Sequence, residues 1–200
     1  MRFLADKLTT IIFEKGVISE EDYALYHYGL QTGMEMTLCF FVSIVLACIL
    51  DVLLETLVVS VVLFALRAYI CGIHMKHYIT CLIGSTTLIT IGPYMVKTLH
   101  LPKELTIVGS ALLLIMIHCF AYNTIAYHSD KDEIVYFTKQ RRRILIIIGI
   151  VDFVLSVSGK THLMKQVFYG LMVAFISIIL EMIRIAIIQR RNRDEKDSEI

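Results

Sequence analysis

The sequence holds no internal repeat, no low-complexity tract and no soluble linker. These absences exclude a repeat architecture and a string of separate domains. Proline occurs only twice, as Pro93 and Pro102, so little in the chain breaks helices. Five cysteines form an odd set without disulfide-like spacing, which excludes a disulfide-stapled scaffold. No basic soluble domain is present to carry nucleic acid, so no nucleic-acid partner is expected. Charged residues make up 18% and the net charge is only +1. Hydrophobic residues make up 57% and mean hydropathy is +0.72, which excludes an ordinary soluble domain.

Long apolar runs take the place of the missing features. They predict an all-α, polytopic integral membrane protein with six transmembrane helices and an N-terminal amphipathic helix. The spans fall at about 31–50, 52–70, 81–97, 104–124, 144–158 and 164–188, each near the length a helix needs to cross a bilayer. The whole chain, 1–200, reads as one membrane domain: an interfacial helix over 1–18, a bundle over 19–188 and a charged tail over 189–200. The opening residues interrupt their apolar positions with Asp6, Lys7, Glu14 and Lys15. They fit an amphipathic helix with Leu4, Leu8, Ile11 and Ile12 on one face, rather than a cleavable signal. That helix can lie on the membrane or pack on the protein itself. Ser19 and Asp22 form a capping box that predicts a helix start. Asp51 and Glu55 mark a tight second turn, Pro93 predicts a kink in the third span, and Pro102 and Gly159 fall in turns. Cys39, Cys48 and Cys119 lie in apolar runs, where a small buried hydrophobe is the default.

Positive charge sets the expected orientation. With six spans and a cytoplasmic N-terminus, the external turns hold only Lys97, Lys103, Lys160 and Lys165 of 19 basic residues. The other 15 lie inside, which places both termini in the cytoplasm of a bacterial cell membrane. Glu35, Asp152, Glu181 and Arg184 remain at membrane depth, where an ionisable group should face the bundle interior or a wet cavity. Glu181 and Arg184 are three apart and can pair on one helix.

The stretch "RAYICGIHMKHYITC", Arg67 to Cys81, gathers two histidines and two cysteines between apolar runs. Three readings compete. A Cys–His pair can form a nucleophilic site. Cys71, His74, His77 and Cys81 can instead ligate zinc. Or these residues only pack at the interface. On one straight helix His74 and Cys81 would lie about 10 Å apart along the axis. A His74 base therefore needs the chain to fold back, for which Gly72 offers a flexible point. His77 and Cys81 would meet on a continuous helix.

The stretch resembles the accessory gene regulator protein B (AgrB) family, membrane cysteine endopeptidases of quorum sensing. The family pattern of Arg, Gly-Gly-x-His and a Cys seven residues after the His reads here as Arg67, Gly72, His74 and Cys81. Cys71 replaces the first Gly. "YGL" at Tyr28 to Leu30 and a basic connection between the fourth and fifth spans are also similar, though that connection lacks the family's proline. The resemblance implies a cysteine endopeptidase that needs no cofactor or metal and works in the lipid bilayer. Its partner would be an AgrD-like precursor peptide with an acidic tail, and a homodimer is compatible with it. Cleavage would leave a thioester on the enzyme and lead to a cyclic thiolactone or lactone signal. Cys81 would be the nucleophile and His74 the general base. Arg67 and Gly72 are motif positions, and Glu35 and Ser85 are candidates for a third group. Lys139, Arg141, Arg142 and Arg143 would dock the acidic tail or serve as a topology signal. The competing class is a small transporter or metal-binding membrane protein that uses the same Cys/His cluster.

Overall fold

The computed structural model describes residues 2–67, 69–70, 78–128 and 131–198. They form α1 (Arg2–Glu14), α2 (Tyr23–Ile49), α3 (Leu53–Arg67), α4 (Tyr78–Thr98), α5 (Lys103–His128), α6 (Lys131–Val157) and α7 (Thr161–Ser198). Only helices occur among the described residues, as the apolar runs and scarce prolines predict.

The number of spans differs from the expectation. Among the described residues three helices, not six, are long and apolar enough to cross a membrane: Tyr23–Ile49, Lys103–Tyr122 and Thr161–Arg191. Three such helices make this a polytopic membrane protein. Two of the others fall short for different physical reasons. α3 has 15 residues, below the length a bilayer core requires. α6 carries Lys139 and Arg141 to Arg143 near its middle. The region after the fourth apolar run, expected as a basic loop, is almost wholly helical. Residues 121–143 contain neither glycine nor proline to stop a helix, so α5 runs on to His128 and α6 starts at Lys131.

The turns follow backbone chemistry. Asp51 takes a left-handed conformation at φ 54°, and Val52 N–H donates to the Ala47 carbonyl at 2.9 Å. Gly159 does the same at φ 71°, with Lys160 N–H donating to Leu155 at 3.1 Å. Both are C-terminal caps that reverse the chain after one or two residues. Ser19 and Asp22 do interact, Ser19 Oγ donating to Asp22 Oδ2 at 2.7 Å. They close a turn, and α2 begins only at Tyr23.

The core lies where α3, α5, α6 and α7 meet. Leu66, Ile117, Leu145, Val167, Leu171 and Ile178 are among its buried residues. α2 is peripheral and buries only Ser43 and Ala47. Close helix contact is paid for in side-chain volume: a Cβ at Gly92 of α4 would collide with the Tyr169 hydroxyl of α7. That hydroxyl donates to the Leu88 carbonyl at 3.0 Å. Gln166, fully buried, donates to the Pro93 carbonyl at 3.1 Å. α1 packs on α2 through Ala5 and Thr9, both 0% exposed, while Leu4, Leu8 and Ile11 stay outside. α1 therefore has one face on the protein and leaves an apolar face outside. Cys48 and Cys119, expected as buried, lie on the outer surface, and Cys39 is half-buried.

Candidate functional site

α2 and α4 run parallel, because α3 returns the chain between them. Cys39 Sγ lies 3.0 Å from Ser85 Oγ and 3.7 Å from Thr86 Oγ1. Lys97 Nζ donates to the Asp51 carbonyl at 2.9 Å. The same lysine pairs with buried Glu55 at 3.2 Å, and Lys165 Nζ donates to the Leu99 carbonyl at 2.9 Å. These bonds tie one end of the bundle. Arg67, the start of α4, the start of α6 and the late part of α7 lie toward the other.

At that second end α3, α4 and α7 enclose a cavity of about 280 Å³. Arg67 and Ile70 border it from one side, Gly84, Ser85 and Leu88 from α4, and Ser177 and Leu180 from α7. Cys81 closes the first turn of α4. By helical register position 81 shares a face with 84, 85 and 88, the face that borders the cavity. The structure thus gathers Arg67 and Ser85 around one chamber on the face of α4 that carries position 81. Cys71, Gly72, His74 and His77 lie outside the described residues. Among the described residues no group of three or more His, Cys, Asp or Glu side chains could hold a metal ion.

The remaining candidates separate. Glu35 is half-buried on α2, and its Oε1 accepts from Gln31 Nε2 at 3.0 Å. The basic run splits by helical geometry. Lys139, Arg142 and Arg143 are exposed, and Arg143 Nη1 donates to Gln140 Oε1 at 3.3 Å. Arg141 turns inward and is 1% exposed. Its Nη2 donates to the His118 carbonyl at 3.3 Å, and its Nε and Nη1 are buried without a partner among the described residues. Burial pushes its pKa below the usual arginine value. Glu181 and Arg184 pair at 3.5 Å, as their spacing predicts. Asp152 is buried against Ser110.

Sequence reasoning missed the contribution of α7 to the chamber and the contact of Cys39 with Ser85. Ser177 was the available signal, a hydroxyl within an apolar run. Nothing in the local pattern of Cys39 distinguishes it from Cys48. No curated protein and no solved structure matches the chain. Residues 5–185 match the family model described as AgrB, Accessory gene regulator B. With that match spanning nearly the whole helical body, the chain belongs to the AgrB family, whose membership supports a general role in peptide processing for quorum sensing.

Proposed function

We propose that the protein is a cysteine endopeptidase that removes the tail of an AgrD-like precursor peptide and passes the rest on as a thioester. The observation that carries this reading is the chamber on the face of α4 that holds position 81, bordered by Arg67 and Ser85. A cysteine in the first turn of a helix benefits from the N-terminal dipole, which favours the thiolate. His74 takes the Cys81 proton as the thiolate attacks the scissile carbonyl. The tetrahedral adduct collapses, the C–N bond breaks, and the leaving amine receives that proton from the imidazolium. The acyl group stays on Cys81 as a thioester, which conserves its activation. A cysteine or serine of the precursor then attacks the thioester, closes the ring and frees the enzyme thiol.

The chamber is mostly apolar and suits a hydrophobic side chain of the peptide near the cleaved bond. Lys139, Arg142 and Arg143, exposed on α6, offer a docking surface for the acidic tail. Gly72, two residues before His74 in the sequence, is compatible with a chain that folds back toward the thiol. The cations gathered toward the Arg67 end, against Lys97, Lys103, Lys160 and Lys165 at the opposite end, support a cytoplasmic location for the Arg67 end and for both termini.

Co-expression with an AgrD-like precursor peptide, followed by mass spectrometry, tests the reading. The native protein should yield a cleaved peptide and a covalent adduct on Cys81. Cys81→Ala should abolish both while the protein still inserts. His74→Ala should remove nearly all cleavage, and His77→Ala should retain much of it. Cleavage that survives Cys81→Ala and stops with chelator would overturn the protease in favour of a metal centre.

A further inference from the structure

α5 and α6 pack antiparallel, and their contacts fix the register. Arg141 reaches the His118 carbonyl, a Cβ at Gly149 would sit 3.4 Å from Leu114 Cδ1, and the Asp152 carboxylate stands against Ser110. All of these residues lie within the two helices, and the numbers rise on α6 as they fall on α5. One turn beyond Ser110 and Asp152, toward the Lys97 end, the same register brings Thr106 and Ser156 to one level. Thr106 and Ser110 are each 1% exposed, Asp152 is 6% exposed and Ser156 9%. Oxygen-bearing side chains at i and i+4 on both helices thus share one buried seam.

Asp152 Oδ1 and Ser110 Oγ are both buried with no hydrogen-bond partner among the described residues. A carboxylate and a hydroxyl that face each other can bond directly, yet these two stand outside hydrogen-bond geometry. No Lys, Arg or His among the described residues pairs with Asp152. Lys97 is engaged with Glu55 and the Asp51 carbonyl, and Lys165 with the Leu99 carbonyl. Ile150, Phe153 and Val154 beside Asp152 face outward as an apolar surface suited to lipid. A carboxylate at that depth is expensive unless its charge is compensated, and the protein's own side chains do not compensate it. Thr106 Oγ1 donates its proton to the Pro102 carbonyl at 3.0 Å, which leaves its lone pairs available to a ligand.

We propose that the α5–α6 seam binds a monovalent metal cation, Na⁺, through the Asp152 carboxylate and the hydroxyls of Ser110, Thr106 and Ser156. Hard cations take oxygen ligands, and the seam offers only oxygen. One carboxylate balances one positive charge, whereas a divalent ion would leave net charge buried. The two levels are about 5.4 Å apart along the helices, so an ion between them is within reach of side chains from both. Ser156 is next to the last residue of α6, so the ion enters from the Lys97 end. Bound there, it joins α6 to α5 and stabilises the folded bundle. The site shares no residue with the chamber near Arg67 and does not depend on the endopeptidase reading.

Thermal unfolding of the full chain in detergent tests the site, with NaCl replaced stepwise by choline chloride at constant total salt. The melting temperature should rise saturably with Na⁺, by about 3–6 °C at tenfold above half-saturation. Asp152→Asn keeps the shape and removes the charge, so it should melt alike in both salts. Ser110→Ala should keep the response but raise the half-saturating Na⁺ several-fold. A native protein that melts alike in NaCl and choline chloride overturns the proposal, and so does a Na⁺ response that survives Asp152→Asn. Should Asp152→Asn fail to fold, Ser110→Ala decides, and an unchanged half-saturation ends the proposal. Infrared spectra supply the remaining arm. A protonated-carboxyl band that persists at saturating Na⁺ and vanishes in Asp152→Asn would make Asp152 a neutral packed acid, against the proposal.

Discussion

At one end of the bundle Lys97 bridges Glu55 and the Asp51 carbonyl, and Lys165 holds the Leu99 carbonyl. At the other, Arg67 borders an open chamber and Arg141 is buried with Nε and Nη1 unpartnered among the described residues. The first end spends its cations on satisfying carbonyls and a buried carboxylate. The second keeps space and unpaired donors inside the protein, which costs stability. The contrast is one of cations, since among the described residues buried polar atoms without a partner also occur at the Lys97 end, on Thr56, Asp152 and Gln166. The Lys97 end ties α4 to the turn between α2 and α3 and to α7.

Substitutions can break this contrast, beginning with the tie that spans α4 and α7. Gly92→Ala should drive a methyl group into the Tyr169 hydroxyl and cost about 1–3 kcal/mol of stability by overpacking. Thermal unfolding in detergent measures it, and cleavage should fall with it because α7 borders the chamber. Lys97→Met should strand buried Glu55 and cost about 1–2 kcal/mol, a figure reduced because Lys97 is 41% exposed. The same melting assay should show the loss recovered when Glu55 is also changed to Gln. Arg141→Met should have the opposite sign. It replaces a buried, half-satisfied cation with a side chain that packs, so stability should be unchanged or higher by up to about 1 kcal/mol. A clear loss of melting temperature there would show that the Arg67 end is as well satisfied as the other. The smallest effect belongs to the exposed cations. Arg142→Gln with Arg143→Gln should weaken precursor binding a few-fold at low salt and leave it nearly unchanged at high salt, where surface charge is screened. Binding isotherms at two ionic strengths distinguish this from a role in topology alone.

Much of the architecture was legible in local chemistry. Apolar runs, scarce proline and the left-handed turns at Asp51 and Gly159 are short-range signals, and the helices stand close to where those signals put them. The number of spans was not legible in the same way. A run such as 144–158 looks like a span when it is read alone, yet it continues a helix that carries Arg141 to Arg143. Leu145 and Ile148 of that run pack inward, while most of its apolar residues, Ile146, Ile150 and Phe153 among them, face outward. The basic run was visible as a cluster, but nothing in "KQRRR" says which arginine turns inward. Helical phase and the position of His118 on α5 decide it.

By itself the sequence determined the all-α class, the membrane character and the identity of the motif residues Arg67, Gly72, His74 and Cys81. Composition, periodicity and spacing are properties of neighbours along the chain, so they survive without a fold. Only the tertiary structure decided that Arg67, Ser85 and Ser177 share one chamber, that Arg141 is internal, and that Cys39 meets Ser85. Each of these depends on the axial offset between helices far apart in sequence. That offset is set by which side chains interdigitate, from Gly92 against Tyr169 to Cys39 against Ser85, and it is written in no local window.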